Sequence, residues 1–577
     1  MRYVLFATAG HVDHGKTSLI KALTGIDTDR LPEEKQRGLS IDIGFAYLDF
    51  PEKGIRLELI DVPGHERFIR NAIAGLSAVS GLILVVDAGE GVMPQTLEHL
   101  RIAKGMGVRR GVGVLTKIDR VDPELVELAE EELKELLKGE GLGFPVVRVS
   151  SVSGEGLEEL RATLGDLLEE VEEAEDEPLR IVVDSAFTVR GYGTVLRGSC
   201  VSGSVRVGEE VTVEPLGGSS RVRALQNHGL FVERAVAGER VALNLPEIDR
   251  NEVKRGFWIV RKGGYVKSRI LIVELEESVR PGGVYRIFFG MREEEGRFRT
   301  IEGRVYLLRL RGEVVSRRGD RLLVLNSSGR LLTSGRVLHP AVEISSKGFV
   351  RKHLGDLLDN FLIYLLRERG SRGMRREEVI SRTGRFPELS GSEEVVVLKD
   401  KLYLKEHLLL LADRLGEKLK EAGEAVPKDR ILGELSIEEE LLLYLLSLLR
   451  GWCVREGYLL RDDGGTLPYE EDLRRLLSFM GRDFRREEEL LSAGFEREIL
   501  RFAVRKGYVH RIGGDLLISD DFLRELVAEL RSLGEEFTLQ EAKSRLGLTR
   551  KFLIPLLEHL DRLRLTVREG NLRRWTR

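Results

Sequence analysis

Residues 9–18 read AGHVDHGKTS, directly after an apolar run at residues 3–7, and residues 10–17 fit the pattern G-x-x-x-x-G-K-[ST]. Gly10 and Gly15 permit a tight turn whose backbone N–H groups can surround phosphate oxygens. A helix beginning near Lys16 would point its positive end at the same anion. Taken alone, the motif could also be a chance glycine-rich turn. We interpret it as a phosphate-binding loop in which Lys16 neutralises the outer phosphates and the Thr17 hydroxyl holds Mg²⁺.

A second segment with the character of a nucleotide site is LELIDVPGH, at residues 57–65. Its apolar part predicts a buried strand that ends at Asp61, whose carboxylate could hold a Mg²⁺-bound water. Gly64 follows, and its backbone N–H could meet a γ-phosphate. The spacing from the loop is the spacing that a GTP-binding domain needs.

Two further strand ends predict the base pocket. VGVLTKID, at residues 112–119, places Asp119 where its carboxylate can accept both N–H groups of a guanine edge, while the stem of Lys117 covers the base. VVRVSSV, at residues 146–152, ends in serines suited to meeting the guanine O6 through backbone N–H groups. The residues predicted to bind GTP are Gly10, Asp13, His14, Gly15, Lys16, Thr17, Ser18, Asp61, Gly64, Thr116, Lys117, Asp119, Ser150, Ser151 and Val152.

These four motifs, together with RGLSI at residues 37–41, resemble the translational GTPases, the family of elongation factor Tu. The resemblance implies slow, ribosome-stimulated hydrolysis of GTP, with His65 orienting water and Lys16 carrying developing charge. It implies Mg²⁺ ligands at Thr17, Ser40 and Asp61, where Ser40 replaces the usual threonine. Thr116 replaces the common Asn of N-K-x-D, which puts one loop-bracing hydrogen bond in question. T-K-x-D occurs in the branch of the family specific for selenocysteine.

Composition and length are compatible with a large factor of this kind. A chain of 577 residues with 42% hydrophobic residues predicts roughly three to six globular domains. A net charge of −4 excludes a uniformly basic surface, so any nucleic-acid site must be a local basic patch. Two cysteines cannot form a disulfide framework, and no run of 18 apolar residues occurs. We therefore expect a cytoplasmic protein without membrane contact.

The first domain, residues 1–175, alternates apolar strands with helical stretches, which predicts an α/β fold with helices on both faces of a parallel sheet. Short strands with glycine turns predict a β-barrel at residues 179–263 and a second β-barrel at 264–346. FTVRGYGTVLRGSCVSG, at residues 187–203, matches the second domain of the same GTPase family. That resemblance implies a barrel that helps to hold the aminoacyl end of a tRNA.

Residues 348–577 change to short helices followed by glycine-turned or Asp-turned hairpins, which predicts tandem winged-helix units. Three units can be recognised, and the stretch at 434–490 is expected to hold another whose wing cannot be placed. This tail on a GTPase core resembles the bacterial selenocysteine-specific elongation factors. The resemblance implies a monomer that delivers selenocysteinyl-tRNA to the ribosome at UGA while its tail binds an mRNA hairpin, the selenocysteine insertion element.

Two alternatives stay open at this point. One is a general elongation or initiation GTPase with a protein-binding tail, although the initiation GTPase usually has cysteine-bound zinc that two distant cysteines cannot supply. The other is a nucleotide-gated DNA-binding regulator, since winged helices often bind DNA. The segment at residues 187–203 argues against the regulator, because a DNA switch does not need a tRNA-binding barrel.

The first barrel also contains a predicted amino-acid pocket. Selenocysteine carries an anion at neutral pH, so a fixed positive charge can distinguish it from serine. Arg240 and Asp184 occupy positions that match the selenocysteine pocket of the family, with Asp184 orienting the guanidinium or accepting from the α-amino group. His228 is a third candidate. An ordinary surface arginine is the alternative for Arg240.

The last winged helix, placed at residues 537–577, is predicted to bind the RNA hairpin. Residues 536–577 contain ten basic and five acidic residues in a chain that is acidic overall. We expect Ile554, Leu557, Leu560 and Leu563 to form the core of its second helix. The expected RNA contacts are with the backbone and with unstacked loop bases. The predicted contact residues are Arg550, Lys551, Arg568, Arg573 and Arg574.

Guanine specificity gives the first testable prediction. Asp119→Asn replaces a carboxylate that accepts two N–H groups with an amide that presents a donor where guanine also presents donors. We expect weaker binding of GTP and a shift of preference toward xanthosine triphosphate, measured by competition with a fluorescent nucleotide. Unchanged preference for GTP in the variant would remove Asp119 from the base pocket.

Overall fold

The computed structural model describes residues 1–28, 42–65, 68–172, 174–387, 389, 393–422, 425–449, 451–461 and 470–576. Within this part of the chain, two compact units are present, Met1–His407 and Leu408–Arg577. No helix among the described residues is long and apolar enough to cross a membrane.

A six-stranded sheet begins the first unit. Its strands are β1 (Arg2–Ala9), β2 (Gly44–Phe50), β3 (Ile55–Asp61), β4 (Gly81–Asp87), β5 (Gly111–Thr116) and β6 (Val146–Arg148). Its helices are α1 (Lys16–Thr24), α2 (Ile69–Leu76), α3 (Pro94–Gly105), α4 (Pro123–Gly139) and α5 (Leu157–Glu169), with 3-10 turns at Pro51–Lys53 and Ile118–Arg120. The order is β2-β3-β1-β4-β5-β6. All neighbours are parallel except β2, which pairs antiparallel with β3.

Helices cover both faces of this sheet. One apolar cluster joins it to α2, α3 and α4, and a second joins the other face to α1 and α5. Strand β4, GLILVVD, is buried at every residue, as a central strand covered on both sides must be. The predicted α/β fold is confirmed, and the nucleotide motifs follow the carboxyl ends of β1, β3, β5 and β6.

An antiparallel β-domain follows. Its strands are β7 (Arg180–Val189), β8 (Gly193–Ser202), β9 (Ser204–Arg206), β10 (Glu210–Glu214), β11 (Gly218–Arg221), β12 (Ala224–Asn227), β13 (Leu230–Val232), β14 (Arg234–Val236), β15 (Arg240–Asn244) and β16 (Trp258–Val260). Eight of them form one sheet in the order β11-β10-β16-β7-β8-β15-β12-β13, and β14 pairs with β9. Inward-facing residues from these strands, with Leu179, Val222 and Phe257 from the connections, form one core cluster.

The next domain is a closed barrel, as predicted. Its strands are β17 (Val266–Leu275), β18 (Val284–Phe289), β19 (Arg292–Glu302), β20 (Val305–Ser316), β21 (Arg321–Leu325) and β22 (Leu331–His339). They close in the order β17-β20-β19-β18-β21-β22. Closure leaves no free sheet edge in the barrel.

The first winged-helix unit packs on the outside of the closed barrel. Its elements are α6 (Lys347–Lys352), α7 (Leu354–Asp359), α8 (Phe361–Arg369), a 3-10 turn at Gly370–Arg372, β23 (Met374–Arg375), α9 (Arg376–Thr383), β24 (Val395–Leu398) and β25 (Lys401–Leu404). A shared apolar cluster contains Leu307 and Leu338 of the barrel and Leu365 of α8. His339 and Glu368 form a fully buried pair across this contact, 2.9 Å apart.

Three further winged-helix units follow. The second has α10 (Lys405–Ala422), β26 (Ala425–Pro427), α11 (Lys428–Leu435), α12 (Glu439–Leu449), β27 (Trp452–Arg455) and β28 (Tyr458–Arg461). The third has α13 (Glu470–Met480), β29 (Arg485–Arg486), α14 (Glu487–Ser492), α15 (Arg497–Arg505), β30 (Val509–Ile512) and β31 (Leu516–Ser519). The fourth has α16 (Asp520–Arg531), β32 (Glu536–Thr538), α17 (Leu539–Leu546), α18 (Arg550–Arg562), β33 (Thr566–Glu569) and β34 (Leu572–Trp575).

Two of these units differ from the boundaries expected from sequence. The second begins at α10, before residue 434, and its wing turns at Glu456 and Gly457, both with positive φ. Its start was missed because α10 continues directly from β25 without a turn signal. The fourth begins at Asp520 rather than near residue 537, since leucines of α16 are part of its core. The predicted fold class of an α/β P-loop domain, two β-barrel domains and a tandem winged-helix array is confirmed; the first barrel domain consists of an eight-stranded and a two-stranded sheet, and the second closes as one sheet.

Neighbouring units in the second half of the chain pack wing against helix. The wing of the second unit contacts the end of α15, where Lys506 Nζ donates to the Glu456 carbonyl at 2.6 Å. The wing of the third unit contacts α18, because a Cβ placed on Gly513 would lie 2.9 Å from Pro555. A common apolar cluster further joins the third and fourth units.

Candidate functional site

A cleft of about 450 Å³ lies beside the strand ends of the first domain. It is lined by Val12, Asp13, Gly15, Lys16, Thr17, Ser18, Gly64, Thr116, Lys117, Asp119, Arg120, Ser151 and Val152. Most residues predicted to bind GTP therefore meet around one space. Gly10, His14, Asp61 and Ser150 lie behind the lining and hold it in place.

The loop at residues 10–15 depends on two glycines. Gly10 has φ 142°, and a Cβ there would lie 2.1 Å from the Val85 carbonyl oxygen. Gly15 has φ 87° and precedes the first residue of α1. Both conformations favour glycine. They place the positive end of α1 beside the cleft.

Lys16 is the buried cation of the phosphate loop. Its Nζ donates to the carbonyls of Gly10 at 3.1 Å and His11 at 2.6 Å. Burial lowers the pKa of Lys16 to about 8, and the carboxylates of Asp61 and Asp13 offset only part of that effect. An anionic phosphate in the cleft would stabilise the charged amine.

Asp61 collects three hydroxyl groups. Its Oδ1 accepts from Thr8 at 2.9 Å, and its Oδ2 accepts from Thr17 and Thr28, each at 2.7 Å. Thr28 is buried and was missed from sequence, since it lies outside every motif and meets Asp61 only in the fold. Among the described residues no group of three His, Cys, Asp or Glu side chains could hold a metal ion.

The Thr17 hydroxyl and the Asp61 carboxylate nevertheless fit Mg²⁺. They are hard oxygen donors in contact beside the phosphate loop, and Mg²⁺ commonly uses one or two protein ligands with phosphates and waters. The third predicted ligand, Ser40, lies outside the described residues.

The loop after β3 approaches the phosphate loop closely. A Cβ on Gly64 would lie 2.5 Å from Lys16 Nζ and 2.8 Å from the Val12 nitrogen, so a side chain there would displace the lysine. The next residue, His65, is half-buried with its ring centroid 6.0 Å from that of Phe68. Its role in orienting water stays a prediction.

Thr116 retains the bracing bond that the T-K-x-D variant put in question. Its hydroxyl lies 2.7 Å from the His14 carbonyl of the phosphate loop, a geometry in which it donates the hydrogen bond. A single hydroxyl thus ties the end of β5 to that loop. Lys117, with φ 57°, pairs with Asp87 at 2.7 Å. Asp119 stands in the lining of the cleft beyond it.

The Ser150 hydroxyl shapes the last loop of the site. It accepts from the backbone N–H groups of Val152 at 3.3 Å and Ser153 at 3.1 Å. Ser151 and Val152 line the cleft, and Val152 is 81% exposed. The side chain of Ser150 thus supports the loop, while its neighbours face the cleft.

Two buried histidines support the phosphate loop and carry no charge. His14 Nδ1 accepts the Asp87 N–H, which leaves the proton on Nε2, 3.2 Å from Glu90. Burial lowers the pKa of His14, and burial lowers the pKa of His99 to about 3. His99 Nδ1 lies 3.4 Å from the Gly10 nitrogen. His99 could not be recognised from sequence because α3 brings it under the loop.

The predicted amino-acid pocket is a paired charge beneath an aromatic ring. Arg240 donates to Asp184 through Nε at 3.2 Å and Nη2 at 3.1 Å. The guanidinium carbon of Arg240 lies 3.5 Å from the ring centroid of Phe45 in β2. His228 contacts the GTP-binding domain instead, with Nε2 2.8 Å from Glu58.

The predicted RNA-binding residues divide into exposed and buried sets. Arg550 and Lys551 open α18 and are exposed, as are Arg568 and Arg574 on the wing. Arg573 corrects the prediction. It is 8% exposed and its Nε donates to Asp561 at 3.0 Å, so its guanidinium is committed inside the unit.

The core of α18 also differs from the expected set. Leu557 and Leu560 are buried, but Ile554 is 40% and Leu563 44% exposed. Residues spaced by three drift about 60° per step around a helix, so a run of such steps leaves one face. The observed core residues are Leu553, Leu556, Leu557 and Leu560.

Comparisons with protein families match five parts of the chain. The elongation factor Tu GTP-binding domain matches residues 1–173, and elongation factor Tu domain 2 matches 193–260. The first winged-helix domain of elongation factor SelB matches 344–399, its third winged-helix domain 469–519, and a further SelB winged helix 528–575.

Similar proteins cover the whole chain. The selenocysteine-specific elongation factor of Desulfomicrobium baculatum is 32% identical, over 99% of both chains. That of Escherichia coli K12 is 30% identical, over 98% of both. A crystal structure of a bacterial selenocysteine-specific elongation factor, EF-Sec, matches all of both chains with a TM-score of 0.81 and 51% identity. Elongation factor SelB of Methanococcus maripaludis, in complex with the GTP analogue GppNHp, matches 58% of this chain and 79% of its own, with a TM-score of 0.52 and 25% identity.

The buried amine of Lys16 predicts a pH dependence of nucleotide affinity. Since its pKa in the protein alone is about 8 and phosphate would raise it, binding takes up a proton above that pH. We expect GDP affinity to be constant below about pH 7.5 and to fall by up to about tenfold per pH unit above 8. Fluorescent GDP titrated between pH 7 and 9.5 measures this.

Lys16→Arg is the matched control, because a guanidinium keeps its charge throughout this range. Its affinity, whatever its level, is expected to be independent of pH. A fall with pH that is the same in both proteins would assign the effect to another group.

Proposed function

The chain belongs to the selenocysteine-specific elongation factors, and on that premise we propose that it delivers selenocysteinyl-tRNA to the ribosome at UGA codons under the guidance of an mRNA hairpin. It is a translational GTPase. The observation that carries the proposal is the presence, in one chain, of a nucleotide cleft, two β-domains and four winged-helix units. We further propose that it acts as a monomer in the cytoplasm.

In the proposed GTP site, the chain supplies positioning and electrostatic stabilisation. Lys16 and the start of α1 would hold the phosphates, and Asp119 would read the guanine edge. His65 would orient the attacking water. Thr17, Ser40 and Asp61 would hold Mg²⁺, which when bound offsets charge on the β- and γ-phosphate oxygens.

The proposed selenocysteine pocket uses the charge of Arg240. Asp184 accepts two of the five N–H donors of the guanidinium and fixes its plane, so the arginine enters the pocket with one orientation. A selenolate gains from that fixed charge, whereas a serine hydroxyl gains little. The proposed role of Asp184 is therefore to orient Arg240.

Phe45 supports a link between this pocket and the nucleotide. It stands in β2 next to Gly44, whose partner in β3 is Asp61. The guanidinium of Arg240 lies against its ring at cation–π distance. If a change of nucleotide moved β2, Phe45 would move with it and displace the guanidinium of Arg240 in the proposed pocket.

The proposed hairpin site is the fourth winged-helix unit. Arg550 and Lys551 stand at the start of α18, where the helix dipole and backbone N–H groups add to phosphate attraction. The exposed wing carries Arg568 and Arg574 beside two exposed apolar side chains, Val567 and Leu572. Basic and apolar groups together suit a backbone with unstacked loop bases.

The two alternative functions are not favoured. A general elongation or initiation GTPase with a protein-binding tail would not explain similarity to selenocysteine-specific factors over the whole chain. A DNA-binding regulator would have no use for the domain that matches elongation factor Tu domain 2.

Amino-acid discrimination tests the pocket. Arg240→Ala removes a charged donor, so we expect preference for selenocysteinyl-tRNA over seryl-tRNA on the same tRNA body to fall by roughly 10- to 100-fold. Equilibrium binding in the presence of a GTP analogue measures it. Arg206→Ala, at an exposed arginine of the same domain, is the control. Equal discrimination by Arg240→Ala and the wild type would rule out reading of charge by Arg240.

Hairpin binding by the full-length chain tests the fourth unit. Arg550→Gln with Lys551→Gln should weaken binding of the hairpin that follows the UGA codon of a selenoprotein message, and lower the salt slope by about 2. Arg562→Gln with Arg564→Gln removes the same charge at and just beyond the far end of α18 as a control. If both pairs weaken binding equally, or if a hairpin with a scrambled loop binds as well, the recognition site is not at the start of α18.

A further inference from the structure

One side of α15, in the third winged-helix unit, is a row of arginines. Arg497, Arg501 and Arg505 are all exposed and follow each other at intervals of four residues. Such residues share a face of a helix and stand about 6 Å apart along its axis. The opposite side of α15 is buried in the core of the unit through Ile499, Leu500, Phe502 and Ala503.

A second feature of the arginine row is that its members have no carboxylate partner among the described residues. No carboxylate in the part of the chain that the structure describes forms an ion pair with any of its three members. Every other basic side chain of residues 470–519 has a carboxylate or carbonyl partner: Arg474, Arg475, Arg482, Arg485, Arg486, Lys506 and Arg511.

The arginine row is therefore an excess of positive charge confined to one face of α15. Residues 470–519 contain ten basic and ten acidic residues, so it does not follow from a generally basic composition. Like charges at intervals of four residues destabilise a helix. A ligand with regularly spaced negative charge would remove that repulsion.

We propose that the arginine row of α15 binds the phosphate backbone of double-helical ribosomal RNA. A guanidinium binds a phosphate through two parallel N–H groups, and it keeps its charge at any physiological pH. Three of them in line along a helix match successive phosphates of one strand. Double-helical RNA is recognised mainly by shape and backbone, because its deep groove is closed to side chains.

Three arguments favour ribosomal RNA over the mRNA hairpin. The hairpin already has a proposed site in another helix, α18, with a basic and apolar wing beside it. The row on α15 offers three identical side chains in a repeating arrangement, which suits a surface read without regard to sequence. A translational GTPase meets double-helical RNA in the ribosome in every round of its function. The inference rests on that activity, and the proposed hairpin site on α18 enters only in the choice between the two RNA ligands.

Ribosome binding by the full-length protein tests the proposal. Arg497→Gln, Arg501→Gln and Arg505→Gln are combined in one variant. The matched control combines Arg482→Gln, Arg486→Gln and Arg511→Gln, which removes the same charge from partnered arginines of the same unit. Affinity for ribosomes is measured with a GTP analogue between 50 and 200 mM salt, and affinity for the mRNA hairpin is measured separately. Thermal unfolding checks that both variants remain folded.

The expected result is specific to the row variant. It should bind ribosomes more weakly, with a salt slope reduced by about 2 to 3, and should keep the hairpin affinity of the wild type. A plain RNA duplex should compete for the wild type better than polyglutamate does. The proposal is overturned if the control variant loses as much ribosome affinity, if the row variant loses hairpin affinity with ribosome binding intact, or if polyglutamate competes equally, since an acidic protein would then be the partner. If the proposed hairpin site were wrong, the result would appear in the other experiment: the variant with Arg550→Gln and Lys551→Gln would keep the hairpin affinity of the wild type.

Discussion

The carboxylate of Asp61, shared by three threonine hydroxyls, is the contact on which the first domain depends. It is 1% exposed, and a buried carboxylate must have its oxygens satisfied. Thr8 brings β1 to it, Thr17 brings the start of α1, and Thr28 brings the chain beyond α1. The end of β3 is therefore fixed against the phosphate loop by the side chains of the protein itself. A metal ion bound by Thr17 and Asp61 would replace some of these hydrogen bonds, and the backbone around them could stay in place.

The same carboxylate is connected to the second domain through a short series of contacts. Gly44 is its antiparallel partner, and no Cβ would fit there, since it would lie 2.5 Å from the Cβ of Thr28. Phe45 comes next and packs against Arg240 of the following domain. Rigid strands with close contacts transmit small shifts because packed interiors are not continuously deformable. The order Asp61, Gly44, Phe45, Arg240 thus gives a contiguous physical route between a nucleotide residue and the proposed pocket.

Packing of wing against helix explains how three similar units in the second half of the chain can differ in function. The wing of the second unit covers the end of α15, and the wing of the third covers the middle of α18. Each covered helix keeps only part of its surface for a ligand. The wing of the fourth unit, by contrast, is exposed along most of its length. Recognition by a helix start and a wing is therefore possible in the fourth unit, while α15 can offer only one side.

Sequence predicted the parts of the site that are local and missed those that depend on distant contacts. A phosphate loop is set by glycines and a lysine within eight residues, so Gly10, Gly15 and Lys16 could be assigned directly. Thr28 and His99 act through partners far along the chain, and no local pattern marks them.

The wing of the fourth unit shows that sequence alone also fails to separate two neighbouring residues. Arg573 and Arg574 are adjacent basic residues, yet a strand points them to opposite faces. Pairing of β34 with β32 and β33 puts Arg573 toward Asp561 and Arg574 toward solvent. Only the register of the sheet decides which of the two can reach an RNA.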